Sequence, residues 1–225
     1  MPHKILAMIT LHYFPGNASF APHVLLREIG VPFQLQLVDR AQAAHKSPAY
    51  LKLNPNGLIP VLVDGELVLY ETAAVLLHLA DSHLVPDQTR LAPALGTGER
   101  AHYYKWMLWL SNTVQATLIH YFYPDRLVAA GNTEGAAQVK AAAEAKVADC
   151  LAQIDTQLAV TGAFLLGDRF SAVDPLAFML CRWTRGFASK PARDYAHIGP
   201  YLQRMLARPA VVAAIAEEKL PQPLV

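Results

Sequence analysis

Phe20, Val24, Leu25 and Ile29 recur at helical spacing over residues 19–29, and Gly30 supplies the stop. Ahead of them, residues 4–14 begin with an apolar run rich in Ile, Leu and Met that reads as a buried strand, broken by Pro15-Gly16-Asn17. Behind them, Phe33-Gln34-Leu35-Gln36-Leu37-Val38 alternates as a half-buried strand does, and a polar stretch with a predicted helix runs to Leu53. Residues 54–72 hold two short strands joined by a tight turn at Asp64-Gly65, and a helix starts at Ala73.

The predicted order is therefore βαβ, then α, ββ and α, with a right-handed crossover in the first unit. That is a thioredoxin-like layout over residues 1–83. Residues 84–98 contain Pro86, Pro93, Gly96 and Gly98 with little periodicity and read as a linker. Beyond it the pattern is helical over residues 99–123, 134–158 and 175–187, with shorter helices around Leu202 and Val211. The fold class is an α/β thioredoxin-like N-terminal domain followed by an all-α helical C-terminal domain over residues 99–225.

Composition narrows the function classes. An apolar content of 53% with 16% charged residues describes a globular chain with a substantial core. A net charge of +1 and no run of Lys or Arg give no face for nucleic acid. Cys150 and Cys181 stand far apart with no CxxC, and the nine histidines lack paired ligand spacing, so no metal site or dithiol centre is expected. A reducing compartment, the cytoplasm, fits. Residues 5–11 are short for a signal peptide, contain Thr10 and lack a small-residue cleavage pattern, and no segment is long enough to span a membrane.

The chemistry concentrates at residues 54–72. Pro60 interrupts the apolar run from Leu58 to Val63, and a proline cannot donate to a sheet ladder, so it belongs at a strand start or an edge. It biases Ile59 towards an extended backbone, which leaves Ile59 able to pair with an extended peptide. Thr72 stands at the positive end of the following helix, where a carboxylate is favoured. Peptide backbone on one side and carboxylate on the other describe a small anionic peptide. A plain hairpin leading into a helix is the competing reading of the same residues.

At these residues the chain resembles the glutathione transferase family, whose glutathione signature is an apolar residue before proline, a hairpin, and Glu-Ser or Glu-Thr at a helix start. The resemblance covers the whole chain and implies a cis Pro60, backbone pairing of Ile59 with the cysteinyl part of glutathione, and Glu71 and Thr72 at its γ-glutamyl end. The opening looks most like the bacterial beta class, matched by Tyr13, Pro15-Gly16, Ser19 and Pro22-His23. Ala18 stands where that class carries cysteine, which counts against disulfide-exchange chemistry. Glutathione acts as its thiolate, and the family puts the stabilising donor at the end of the first strand or the start of the first helix. Ser19 is the first choice, Tyr13 the second and Asn17 the third; the local alternatives are an N-cap for Ser19 and a packed aromatic for Tyr13.

His45-Lys46-Ser47-Pro48 resembles the phi and theta classes, which implies that His45 and Lys46 approach the glycine carboxylate of glutathione. Leu58 departs from the polar residue many members have there. Trp109, His120 and Tyr123 are candidates for a hydrophobic pocket on the helical domain, although most aromatic residues of that segment read as core or dimer contacts. The implied protein is a cytoplasmic, homodimeric detoxification transferase that uses glutathione as co-substrate, needs no other cofactor, and joins it to a small apolar electrophile. Two alternatives stand beside it: a glutathione-dependent isomerase or lyase, and a glutathione-binding interaction protein with a vestigial site, the latter motivated by Ala18 and Leu58. Ser171 and Asp174 resemble a capping box, with Asp174-Pro175 as cap and first helical residue the alternative; either role is structural.

Overall fold

The computed structural model describes residues 8–83 and 90–225. Residues 4–7 of the first expected strand and residues 84–89 of the expected linker lie outside the described residues. Four strands form one sheet in the order β2-β1-β3-β4: β1 Ile9–Tyr13, β2 Phe33–Leu37, β3 Val61–Asp64 and β4 Leu67–Tyr70. β1 pairs with β2 in parallel, and the β1·β3 and β3·β4 pairs are antiparallel. Helix α1, Phe20–Ile29, makes the crossover between the two parallel strands, α2 spans Pro48–Leu53 and α3 Thr72–Ser82. The fold thus follows the βαβ, α, ββα order that the apolar pattern predicts.

Local chemistry accounts for the element ends. Gly30 ends α1 at φ 74, and its amide donates to the Leu26 carbonyl, a conformation that costs glycine no Cβ clash. Ser47 caps α2 by accepting from the Tyr50 amide, with Pro48 at the first helical position. The β3–β4 turn has Gly65 at φ 63 between Asp64 and Leu67, which pair in register. The core of the sheet and its helices is mainly aliphatic: Leu11, Val24, Leu25, Leu26, Leu62, Leu76 and Leu79 are fully enclosed. Removing one such leucine side chain to alanine costs about 2–5 kcal/mol.

The chain divides into two compact units. The first joins the described residues up to Ala92 with Arg208–Leu220, and the second holds Pro93–Ala207 with Pro221–Val225. Helix α9, Pro209–Glu217, therefore packs with the sheet domain and not with the helices that precede it in sequence. Arg208 makes a two-pronged ion pair with Glu28 of α1, at 2.6 and 2.8 Å, and Val211 and Ala214 are buried. Periodicity carries no record of this, because it says that a helix has an apolar face and not which partner covers it.

The second unit contains α4 Gly98–Trp109, α5 Ala116–Phe122, α6 Thr133–Thr161, α7 Val173–Trp183 and α8 Ile198–Leu206. The expected helix over residues 99–123 is helical up to Phe122, and Leu110–Gln115 is a π-helical turn between α4 and α5. At the start of α7 the expected capping box forms only in part. Asp174 reaches back to the Ser171 amide at 2.8 Å, while the Ser171 hydroxyl donates to the same carboxylate instead of accepting from the helix. The other carboxylate oxygen receives the Leu165 amide at 3.2 Å, and Tyr201 donates to the Asp174 carbonyl at 3.0 Å. Pro175 lies two residues inside the helix, so the Asp-Pro cap is not the arrangement found. Asp174 is a buried hub that joins three chain segments, a larger role than a helix cap.

Candidate active site

Strand register gathers the sequence-predicted residues at one end of the sheet. His12 pairs with Val61, so Pro60, which precedes β3, stands beside Tyr13 at the end of β1. Val61 pairs in turn with Tyr70, which sets Glu71 and Thr72 next along the same edge. On the opposite side Tyr13 pairs with Leu37, and the chain continues from there into the segment bearing His45 and Lys46.

The Ile59–Pro60 peptide is cis. Among the described residues, neither the N–H nor the C=O of Ile59 enters the sheet ladder or a turn hydrogen bond. The bend is held one residue earlier, where the Leu58 carbonyl accepts from the Tyr50 hydroxyl at 2.8 Å and from Asn54 Nδ2 at 2.9 Å. Burial raises the Tyr50 phenol well above its ordinary range, so it stays a donor. Sequence reading missed Tyr50 and Asn54 in this role; the turn residues Asn54-Pro55-Asn56-Gly57 were the available signal. Leu58 itself is exposed.

Glu71 has φ 73 and ψ 115 immediately before α3. A non-glycine residue in this region is strained by about 1–3 kcal/mol, and such strain concentrates at ligand sites. The conformation leaves the Glu71 side chain exposed and the buried Thr72 at the first position of α3. The first amides of an 11-residue helix face outward here, the positive end that a carboxylate would meet.

The loop from β1 to α1 is the second half of the site and carries the three candidates for the thiol donor. Ser19 is fully buried; its Oγ accepts from the Phe14 amide and donates to the Phe14 carbonyl, both at 3.2 Å. Its hydroxyl closes the loop on itself. Asn17 is partly exposed, and its Oδ1 takes the Ala18 amide at 2.6 Å, so the donor group of its carboxamide is Nδ2. Tyr13 is also partly exposed. Burial, then the charges of Glu218 and Glu217, raise its phenol above the ordinary value, so it too keeps its proton.

On the basic side, His45 and Lys46 form a short 3-10 turn. Lys46 Nζ lies 3.5 Å from the Asn56 carbonyl. Gly57 makes this approach possible: at φ 60, a Cβ there would sit 2.8 Å from the His45 carbonyl and 2.9 Å from Lys46 Nζ. Burial, then Lys46 and Arg40, lower His45 below its ordinary value, so the cationic group of the pair is Lys46.

The three candidates for the hydrophobic pocket lie on or just after the α4–α5 run of the second unit. Trp109 meets Trp106 edge-to-face at 5.2 Å, while His120 is exposed and Tyr123 lies under Arg126 at 4.0 Å. Trp109 and His120 are about 16 Å apart along one helical run, at 1.5 Å per residue. Among the described residues no group of three or more His, Cys, Asp and Glu side chains could hold a metal ion.

Residues 7–81 match the family model for the glutathione S-transferase N-terminal domain, and residues 109–209 that for the glutathione S-transferase C-terminal domain. Glutathione S-transferase GstA of Escherichia coli O157:H7 is 31% identical over 213 residues, covering 93% of this chain and 98% of that protein. A glutathione transferase homolog from Sulfitobacter, solved with bound glutathione, superposes with a TM-score of 0.84 at 28% identity, over 95% of this chain and 99% of its own. A beta class glutathione S-transferase from Sphingomonas chungbukensis gives a TM-score of 0.78 at 30% identity, over 94% of this chain and 100% of its own.

Proposed function

We propose a mechanism for a chain that belongs to the glutathione transferase family: Asn17 and Tyr13 hold the thiol of glutathione as a thiolate, and the thiolate attacks a small apolar electrophile. Transferase activity with glutathione as co-substrate follows from the membership itself. The residue roles are our assignment, and the observation that carries it is the register that brings Tyr13, cis-Pro60 and Glu71 to one sheet end.

In this reading glutathione lies extended across that end. Its cysteinyl backbone pairs with the N–H and C=O of Ile59, as a strand added to an edge. Glu71 receives the γ-glutamyl ammonium, and Thr72 with the first amides of α3 receives the γ-glutamyl carboxylate. Lys46 meets the glycine carboxylate, with the neutral His45 as a hydrogen-bond partner. Asn17 Nδ2 and the Tyr13 hydroxyl donate to the sulfur, aided by the positive end of α1. Lowering the thiol pKa by two units requires about 2.7 kcal/mol, within reach of two such donors and a helix terminus. The sulfur then forms a bond to the electrophilic carbon, and the leaving group departs with its electron pair or the addition product takes up a proton.

The protein acts as a cytoplasmic homodimer in this proposal, as is usual for the family. Beside conjugation, no observation favours isomerisation, lyase chemistry or a vestigial site. The test is a pH titration of thiolate ultraviolet absorbance for glutathione bound to the wild-type protein, Asn17→Ala, Tyr13→Phe and Ser19→Ala, alongside turnover of an activated aryl halide. A lowered thiol pKa that rises in Asn17→Ala or Tyr13→Phe supports the assignment. Dependence on Ser19→Ala alone overturns it, and an unshifted bound thiol in the wild type overturns thiolate activation altogether.

A further inference from the structure

Glu218 has no place in the glutathione-binding residues, yet it touches the thiol loop directly. Gly16 stands in that loop at φ 68, and its amide donates to Glu218 Oε2 at 2.8 Å. The Glu218 side chain is fully enclosed. Its other oxygen lies 2.8 Å from His23 Nδ1, and the second ring nitrogen of His23 lies 2.9 Å from Glu217 Oε2. Glu217 is bound on its far side by Arg27. All of these residues belong to the first compact unit.

We infer that Glu218 is a positioning residue for the thiol loop: its carboxylate, oriented by His23, fixes the Gly16 amide and with it the direction of the Asn17 carboxamide. This rests on the assignment of Asn17 as a thiol donor. The neighbouring bonds show how the direction is passed on. The Asn17 amide closes the turn on the Phe14 carbonyl at 3.1 Å, and Asn17 Oδ1 is held by the Ala18 amide. The Gly16 amide therefore adjoins a residue held at both its backbone N–H and its side-chain oxygen. A charge-assisted bond from a buried carboxylate is the stronger kind available for this purpose.

Docking of α9 has other ties besides this contact. The same pair of helices is already joined by Arg208 to Glu28 and by Arg27 to Glu217, neither of which reaches the loop. The carboxylate also brings a cost. A negative charge beside the loop disfavours a thiolate, so charge and position act on the bound sulfur in opposite directions. That opposition makes the two roles separable.

The experiment titrates the ultraviolet thiolate signal of bound glutathione in the wild type, Glu218→Ala, Glu218→Gln and Glu28→Gln. The Gln variant at 218 keeps an acceptor for the Gly16 amide without the charge, and the Glu28 variant loosens α9 without touching the loop. Positioning predicts a bound thiol pKa raised by about one unit in Glu218→Ala, a tenfold loss of thiolate at pH values below it, with Glu218→Gln restoring it and Glu28→Gln unchanged. A fall in thiol pKa in both Glu218 variants would mean that only charge matters and overturns the proposal. So would a shift of the same size in Glu28→Gln. If Glu218→Ala does not fold, Glu218→Asp takes its place, since the shorter arm keeps the charge and loses the reach; an unshifted pKa there overturns the proposal. A wild-type protein whose bound thiol is unshifted refutes the Asn17 assignment, whereas a lowered wild-type pKa that survives Glu218→Ala refutes only the role of Glu218.

Discussion

The hydroxyl of Tyr50 donates to the carbonyl of Leu58 at 2.8 Å, the far side of the same peptide group that carries the Ile59 N–H. Asn54 shares that acceptor, so losing Tyr50 weakens the bend without abolishing it. Tyr50→Phe should raise KM for glutathione about five- to tenfold, the worth of one partly buried hydrogen bond, with kcat within about twofold. Steady-state kinetics in glutathione decide it, and an unchanged KM would remove Tyr50 from the site.

Glu71 pays for its place with an unfavourable backbone. Glu71→Gly relieves the positive φ and should raise stability by up to about 1 kcal/mol, read as a shifted urea midpoint. The same change removes the γ-glutamyl contact, so glutathione affinity should fall at least tenfold by calorimetry. A variant that gains no stability, or binds as well as the wild type, contradicts the account.

Asp174 carries a pH signature. Burial lifts its carboxyl to about 6 even though Ser171, Leu165 and Tyr201 donate hydrogen bonds that act to lower it. The folded value exceeds the ordinary 3.8, so between those values the native state holds the proton more often than the unfolded chain. Stability from this group is therefore fully present below pH 4, falls as pH rises towards 6, and is level above. Measured against Asp174→Asn, the wild type should lose about 2 kcal/mol of relative stability between pH 4.5 and 7. Urea unfolding at the two pH values tests it; a difference of the opposite sign would mean the carboxylate is favoured by its surroundings.

Cys150 and Cys181 are both buried, and burial raises the thiols, that of Cys181 up to about 12. Neither is a ready nucleophile at neutral pH. Iodoacetamide should label the folded protein slowly, and the double replacement by serine should leave turnover with glutathione intact. Loss of turnover at equal stability would place a protein thiol in the reaction.

How far the sequence could be read depended on the range of each interaction. The cis-proline turn, the hairpin and the start of α3 are local, and residues 54–72 announce them through proline, glycine and alternation. Ser19 shows the limit of that approach. A serine at a helix start can cap, close a loop or face a ligand, and spacing along the chain does not show its bonds to the Phe14 backbone. Glu218 left no sign at all, because its partners Gly16 and His23 are about 200 positions away. The π turn at Leu110–Gln115 was equally silent, since one widened turn leaves the apolar spacing nearly helical.

The membership of Arg208–Leu220 in the first unit sets an order of events during synthesis. The sheet and its first three helices leave the ribosome early, but the helix that covers α1 follows only after Pro93–Ala207 of the second unit. At about 5–20 residues per second, the nascent first unit waits roughly 6–25 s with His23 and the apolar flank of α1 uncovered. Over that interval the flank is open to aggregation, and the thiol loop lacks its Gly16–Glu218 bond until the last helix arrives.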